Sequence, residues 1–329
     1  MYVLYSTFRN TCAHELTYPA TFGIVTSVIS AVYPQTEVTV STFSFTTGPN
    51  VTADTFWDGF RAYLDYFPMH ADAGIYSYFT LLPGNNNSYT FKMNPFFAAG
   101  HSPAEVSTLL QPWFTRLNHL GIRVQNFTSK PYPNIYDAWA NSVPEQLVGK
   151  FNTTSGSRLF PRTNWADETT LNATFNALRE TVTAGYRIVA YNMKFPQPAF
   201  SAPNAANPAF RNALMFAITT TSWDPATTAA SDVVTQIRDF ASSVLEPWRQ
   251  VSPGSGTYLS EAAVLEPDFQ SSFYGAGPEH YGRLLGLKRQ FDPEGVFYAL
   301  GSVGSEEWEL ESRTATGFPD QNGRLCRRA

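Results

Sequence analysis

The side chains of this 329-residue chain that can do chemistry are few and scattered. Its five histidines are His14, His70, His101, His119 and His280, and none falls at an H-x-x-x-H ligand spacing. Each reads as a packed or surface imidazole. Cys12 and Cys326 lie near opposite ends, so no C-x-x-C pair exists; one long-range disulfide and two free thiols both remain open. Serine, histidine and aspartate all occur, yet no G-x-S-x-G elbow presents a nucleophile. Nor does any GxGxxG or GxxxxGK loop offer a phosphate cradle. The paired carboxylates Glu306/Glu307 and Asp167/Glu168 sit in polar surroundings and read as solvated faces or helix N-termini. One acid lies in a different setting. Glu261 closes the run Tyr258-Leu259-Ser260-Glu261, which reads as a strand with Tyr258 and Ser260 on one side and Leu259 and Glu261 on the other.

Bulk composition narrows the class. A chain of about 300 residues buries roughly three quarters of its unfolded surface, so a sizeable core is expected. Charged residues make up 15%, below the usual quarter, and aromatics another 15%, which points to a ring-rich interior. A net charge of -5 and a pI near 5.6 give no basic field for nucleic acid. The one basic cluster, Arg324, Arg327 and Arg328, reads as a solvated terminus. No apolar run reaches membrane-span length, and Met1 to Ala20 lacks the basic start and apolar core of a signal peptide. Sequons at Asn50, Asn86, Asn126, Asn152 and Asn172 are compatible with a secretory route.

The elements that must position these residues follow from period and punctuation. Thr21 to Tyr33 and Val38 to Phe45 read as strands. Thr55 to Phe67 places Phe56, Phe60, Tyr63, Leu64 and Phe67 on one helical face, with Pro68 as its stop. Gly74 to Leu82 and Tyr89 to Phe97 flank a Pro-Gly-Asn turn as a hairpin. A helix capped by Ser102 runs to Leu120 with Gly121 after it. Ser129 to Arg162 reads as a long loop, and helices fit Asp167 to Ala184 and Pro225 to Leu245. Strands fit Tyr186 to Phe195 and Ala213 to Ser222, and Gln197 to Pro208 reads as a connector. Short helices fit Asp268 to Tyr274 and Glu279 to Phe291. The fold class is α+β, with one large, mostly antiparallel sheet covered by helices.

The C-terminal stretch Tyr258 to Trp308 carries more. It holds YLSE, then Glu-Pro-Asp-Phe-Gln at 266–270, then HYGRLLGLKRQFDPEGVF from His280. This order closely resembles the C-terminal signature of berberine bridge enzyme-like FAD-linked oxidoreductases, of the vanillyl-alcohol-oxidase type, in their fungal branch. That signature has an aromatic-x-Asn-Glu/Tyr strand, an acidic-Pro-aromatic-Gln segment and N-Y-x-R-L-x-x-I-K-x-x-x-D-P-x-x-x-F. Pro19 to Pro34 resembles the last strand of the family's FAD-binding domain, and Tyr136 to Trp139 and Leu159 to Asn164 also fit.

The resemblance implies FAD as cofactor, and a small-molecule substrate and O2 as partners, in a secreted glycoprotein of secondary metabolism. Glu261 stands where relatives carry a catalytic Tyr or Glu; beside an apolar ring it takes a proton from a substrate hydroxyl, with Tyr258 also at the catalytic site. Pairing of Glu261 with an arginine, or capping of a turn, is the plainer alternative. Phe22, Gly23, Ile24 and Val25 are implied as main-chain contacts to the flavin, with Ser260, His280 and Tyr281 as side-chain contacts. Ser260 and His280 stand where the family has asparagines, so those contacts change in length and geometry. Tyr76, Tyr78, Phe91 and Phe97 are candidate pocket aromatics for a sugar or polyketide-like ring.

The implied division is residues 1–18 unmatched, 19–45 as terminal strands of the FAD-binding domain, 46–257 as substrate domain, 258–308 as the berberine-type segment and 309–329 as tail. With most of the FAD-binding domain lacking a counterpart, the expectation is a truncated gene model, inactive as given. The alternative is a non-catalytic remnant or small-ligand-binding protein without flavin.

Overall fold

The computed structural model describes residues 22–24, 34–143, 152–194, 205–311 and 323–328. The β-branched and aromatic runs form strands β1 (Val38–Thr46), β2 (Ile75–Pro83), β3 (Tyr89–Ala99), β4 (Gln125–Tyr132), β5 (Thr153–Pro161), β6 (Ile188–Asn192) and β7 (Ala213–Ser222). These pair in the order β4-β1-β3-β2-β6-β7-β5, antiparallel throughout. The sheet is open, with β4 and β5 at its edges.

Alternation gives this sheet two unlike faces. Ile75, Phe79 and Leu81 of β2 point into the core, whereas Tyr76, Tyr78 and Thr80 point away. On the core side lie α1 (Ala53–Asp72), α2 (Pro103–His119) and, beyond α3 (Ile135–Ser142), α4 (Glu168–Thr183). Phe45, Phe60, Tyr63, Phe79, Phe91 and Trp113 are fully buried there, with Tyr63 and Trp113 ring centroids 4.5 Å apart. Burying each such ring stabilises the fold by about 1.5–3 kcal/mol before packing geometry is counted. In β3, Met93 pairs with both Phe43 and Phe79, and Phe96 with both Ser41 and Ser77, so one extra residue bulges at Asn94-Pro95. That bulge lets Met93 and Phe96, three apart, both face the core, and it turns Phe97 outward.

Two expectations are corrected. Helix α1 does not stop at Pro68 but continues to Asp72. Pro68 has no N–H for the Leu64 carbonyl, and the Trp165 indole N–H donates to that carbonyl at 3.0 Å instead. Ser129 to Arg162 is not a loop: it holds half of β4 and all of α3 and β5. As an exposed edge strand with Pro131 in it, β4 carries no apolar alternation to read. Val38 to Phe45, expected as a strand, forms β1, an interior strand paired to β3 and β4. The rest of the Thr21 to Tyr33 strand call, and the Gln197 to Pro208 connector call in part, lie outside the described residues.

The chain then forms α5 (Ala209–Asn212), α6 (Ala230–Asp239), α7 (Glu246–Gln250), α8 (Phe269–Tyr274) and α9 (Arg283–Phe291). The helix expected over Pro225 to Leu245 is shorter, starting at Ala230 and passing into a π turn at Phe240–Val244. A hairpin of β8 (Trp308–Glu311) and β9 (Arg324–Arg327) closes the tail. Phe273, Tyr274, Tyr281, Leu284 and Val303 make a small second core. The D-P pair ends α9 as its sequence implies: Lys288 Nζ lies 2.5 Å from Asp292, whose carboxylate also accepts the Val296 and Phe297 N–H groups.

Candidate functional site

The sheet face away from the helices carries a row of rings. Tyr76 pairs with Phe97, Tyr78 with Tyr191, Tyr191 with Phe216, and Phe216 with Leu159, so strand register alone lines them up across five strands. The Tyr191 ring centroid lies 5.4 Å from Tyr76 and 5.4 Å from Phe216, and stacks on Tyr78 at 6.1 Å. Helix α3 covers one end through Ala138, packed with Val38 and Val40 beside Phe97. Ala209 of α5, Phe210 and Tyr258 cover the other end, against Phe216 and Leu159. Between them Tyr76 keeps 40% of its surface exposed.

Glu261 faces this gap. Tyr258 to Glu261 is not the expected strand but leads into a single 3₁₀ turn, Leu259–Glu261, closed by the Glu261 N–H donating to the Tyr258 carbonyl at 3.0 Å. A 3₁₀ turn brings residues three apart onto one side. Tyr258 and Glu261 therefore both act on the Tyr191 hydroxyl, rather than facing opposite ways. Leu259 turns instead to the second core.

The turn is held by a buried polar clamp. The Leu159 N–H donates to the Gly256 carbonyl at 2.9 Å and the Thr257 N–H to the Ser272 carbonyl at 2.9 Å. The Arg158 guanidinium of β5 donates to the Ser252 hydroxyl and carbonyl, each at 2.8 Å. Glu266 accepts from Ser272 at 2.8 Å and lies 3.3 Å from Arg249 and 3.9 Å from Arg158. These contacts fix the segment on both sides of Glu261 without touching its carboxylate.

Glu261 itself is half-buried, and its carboxylate has no hydrogen-bond or ion-pair partner among the described residues. Burial pushes its carboxyl above the ordinary range. Its charge acts in turn on the tyrosines: burial, then Tyr78 and Glu261, push Tyr76 up to about 12, and burial and Glu261 raise Tyr191 as well. A carboxyl whose charged form is disfavoured by burial thus sits over phenols whose ionisation is disfavoured as well, on an open aromatic face. The arginine pairing suggested as the plainer alternative for Glu261 is not seen among the described residues.

The other sequence candidates fall in several places. Phe22 packs on the second core together with Tyr281, Leu259 and Ala262. The structure thus joins the N-terminal candidate to the C-terminal segment. Beyond Phe22, a side chain at Gly23 would meet nothing within 4 Å, and Ile24 is 77% exposed. Val25 lies outside the described residues. Ser260 is exposed on the turn.

Tyr281 is buried and structural: its hydroxyl bonds the Glu306 carboxylate at 2.5 Å and accepts the Gly304 N–H at 3.0 Å. His280 lies in the π turn Pro278–Gly282, 3.9 Å from Glu279, and its ring packs where a side chain at Gly275 would stand. Of the pocket aromatics, Tyr76 and Tyr78 face the site, but Phe91 is in the helix-side core and Phe97 packs beside α3. Tyr191 was missed; its only sequence signal is the alternation of Ile188-Val189-Ala190-Tyr191.

No family model matches the chain. Curated relatives do. The FAD-linked oxidoreductase ZEB1 of Gibberella zeae is 28% identical over 312 residues, covering 94% of this chain and 51% of the relative. The VAO-type flavoprotein oxidase VAO615 of Thermothelomyces thermophilus is 28% identical over 93% of this chain and 50% of its own length. Among solved structures, the VAO-type flavoprotein MtVAO615 from Myceliophthora thermophila C1 superposes with a TM-score of 0.78 at 25% identity, over 94% of this chain and 53% of that one. The Physcomitrella patens BBE-like 1 protein shares the fold alone, with a TM-score of 0.55 at 14% identity over 81% of this chain and 54% of that one.

The homologues of this chain are therefore fungal FAD-linked oxidoreductases and VAO-type flavoproteins, and FAD is the family cofactor. The chain spans about half the length of the curated relatives it matches.

Proposed function

We propose that the protein containing this chain is an FAD-dependent oxidase of a small molecule, and that the chain supplies the substrate-facing half of its site. The observation that carries the reading is the Glu261 carboxyl, raised by burial and unpaired, over the Tyr76–Tyr191 face. A bound flavin supplies the hydride acceptor, and O2 restores it. The residues of this chain do the rest. Tyr76, Tyr78 and Tyr191 form a wall for a flat or ring-bearing substrate. Glu261 accepts the proton of the substrate hydroxyl as its C–H hydride leaves, and the clamp around Glu266 keeps the acid from swinging away. Main chain at 22–24 would contact the edge of a bound flavin ring.

The test uses the purified chain incubated with FAD and scanned for the visible band of bound oxidised flavin. A retained band, with O2 uptake on adding sugar or phenolic alcohols that Glu261→Gln lowers by about 10²-fold or more, supports the reading. A second reading, a ligand-binding protein without flavin, is favoured by the lack of a phosphate cradle among the described residues. Colourless protein that still binds an aromatic alcohol would establish it.

A secretory, glycosylated product belongs to the same proposal. Asn50, Asn86, Asn126 and Asn172 are exposed, while Asn152 is half-buried and donates to the Trp223 carbonyl. No helix among the described residues is long and apolar enough to cross a membrane.

A further inference from the structure

We propose that a cavity beside β5, β6 and β7 is a binding site for a small organic anion. It encloses about 580 Å³ and is lined at its polar side by Arg162, Lys194 and Arg211, with no carboxylate in its wall. That volume suits a small ligand, which typically occupies about 300–1,000 Å³. Arg162 and Lys194 share a single acid, Asp72, at 2.5 and 2.9 Å. The acid is held below its usual range by hydrogen bonds from both, which shows that their charge is felt there.

Arg211, on α5, is half-buried, and its guanidinium has no hydrogen-bond or ion-pair partner among the described residues. Three cations against one anion leave two positive charges around the cavity. In a chain whose net charge is -5, such an excess is not a by-product of general basicity. A guanidinium with no acceptor among the described residues is open to a ligand, and its planar fork matches a carboxylate or phosphate.

The other walls select the kind of anion. Met193, Ala209 and Leu214 are apolar, and the Pro253–Ser255 turn closes the side. An acid group held by Arg211 and Arg162, with an apolar body on Met193 and Leu214, fills both halves.

Calorimetric titration of the purified chain tests this, with benzoate, inorganic phosphate and benzyl alcohol as probes. The expected result is saturable benzoate binding, weakened at least about tenfold by Arg211→Gln and abolished in Arg162→Gln/Arg211→Gln. Benzyl alcohol should not bind, and salt raised from about 0.05 to 0.5 M should weaken the benzoate response. Phosphate binding as tightly as benzoate, with the same loss in Arg211→Gln, would assign the site to the acid group alone. Asn212→Asp, an exposed rim change that leaves packing untouched, should also weaken benzoate and guards against misfolding of the arginine variants. Absence of binding by both anions, or affinities unmoved by all these variants, overturns the proposal. The measurement needs no flavin, so its failure leaves the oxidoreductase reading standing.

Discussion

Glu261 is the residue on which the chemistry turns, and its environment can be checked without any substrate. Burial raises its carboxyl in the folded state above the ordinary value near 4.3. For an acid so shifted, the native state favours the protonated form. Its penalty is absent below the unfolded value and grows as pH rises through the folded one. Glu261→Gln removes that penalty. Its melting temperature should match that of the original chain near pH 4 and exceed it by about 1–3 °C at pH 7.5, in paired thermal melts. A gap that is constant with pH, or reversed, would mean that the carboxylate has a partner and is no base in waiting. The same residue shows why the site was only half legible. Its type and neighbours stand in the sequence, but the Tyr191 hydroxyl that feels its charge is 70 positions earlier, brought close only by sheet register and a 3₁₀ turn.

At the scale of elements, two contacts decide geometry more than propensity does. Helix α1 runs through Pro68 because Trp165 serves the stranded Leu64 carbonyl. Trp165→Phe keeps the ring stacked on Phe67 but removes the N–H. Leaving that carbonyl unserved should cost about 1–3 kcal/mol in urea unfolding, with the last turn of α1 exchanging its amides sooner. Unchanged protection there would show that the helix tolerates the proline unaided. Glu266 similarly ties the C-terminal segment to β5. Glu266→Ala would leave Arg158 and Arg249 facing each other and should lose about 3–5 kcal/mol by the same measurement.

Elements with strong local signals were readable: Ser102 closes a capping box with Glu105, and β7 spans Ala213–Ser222 as its alternation implies. What failed lacked a local signal. Edge strand β4 has no buried face of its own, and the turn at Glu261 mimics a strand over four residues.

The whole molecule is built on a sheet with one face committed to the core and the other carrying the partly exposed Tyr76, and the two should respond differently to the same change. Phe79 and Tyr76 are near neighbours on β2 with opposite orientations. Phe79 is fully buried among Phe60, Tyr63 and Phe91, so Phe79→Ala opens a cavity in packed rings and should cost about 3–5 kcal/mol. Tyr76 is 40% exposed and rests mainly on Tyr191, so Tyr76→Ala should cost under about 1.5 kcal/mol. Tyr76→Ala should nevertheless weaken binding of an aromatic alcohol severalfold, because it removes a wall of the open face. Urea midpoints and ligand titration on the two variants separate the faces. If Tyr76→Ala proved as destabilising as Phe79→Ala and left ligand affinity unchanged, the aromatic row would be a second core, and the function assigned to that face would have no place on this sheet.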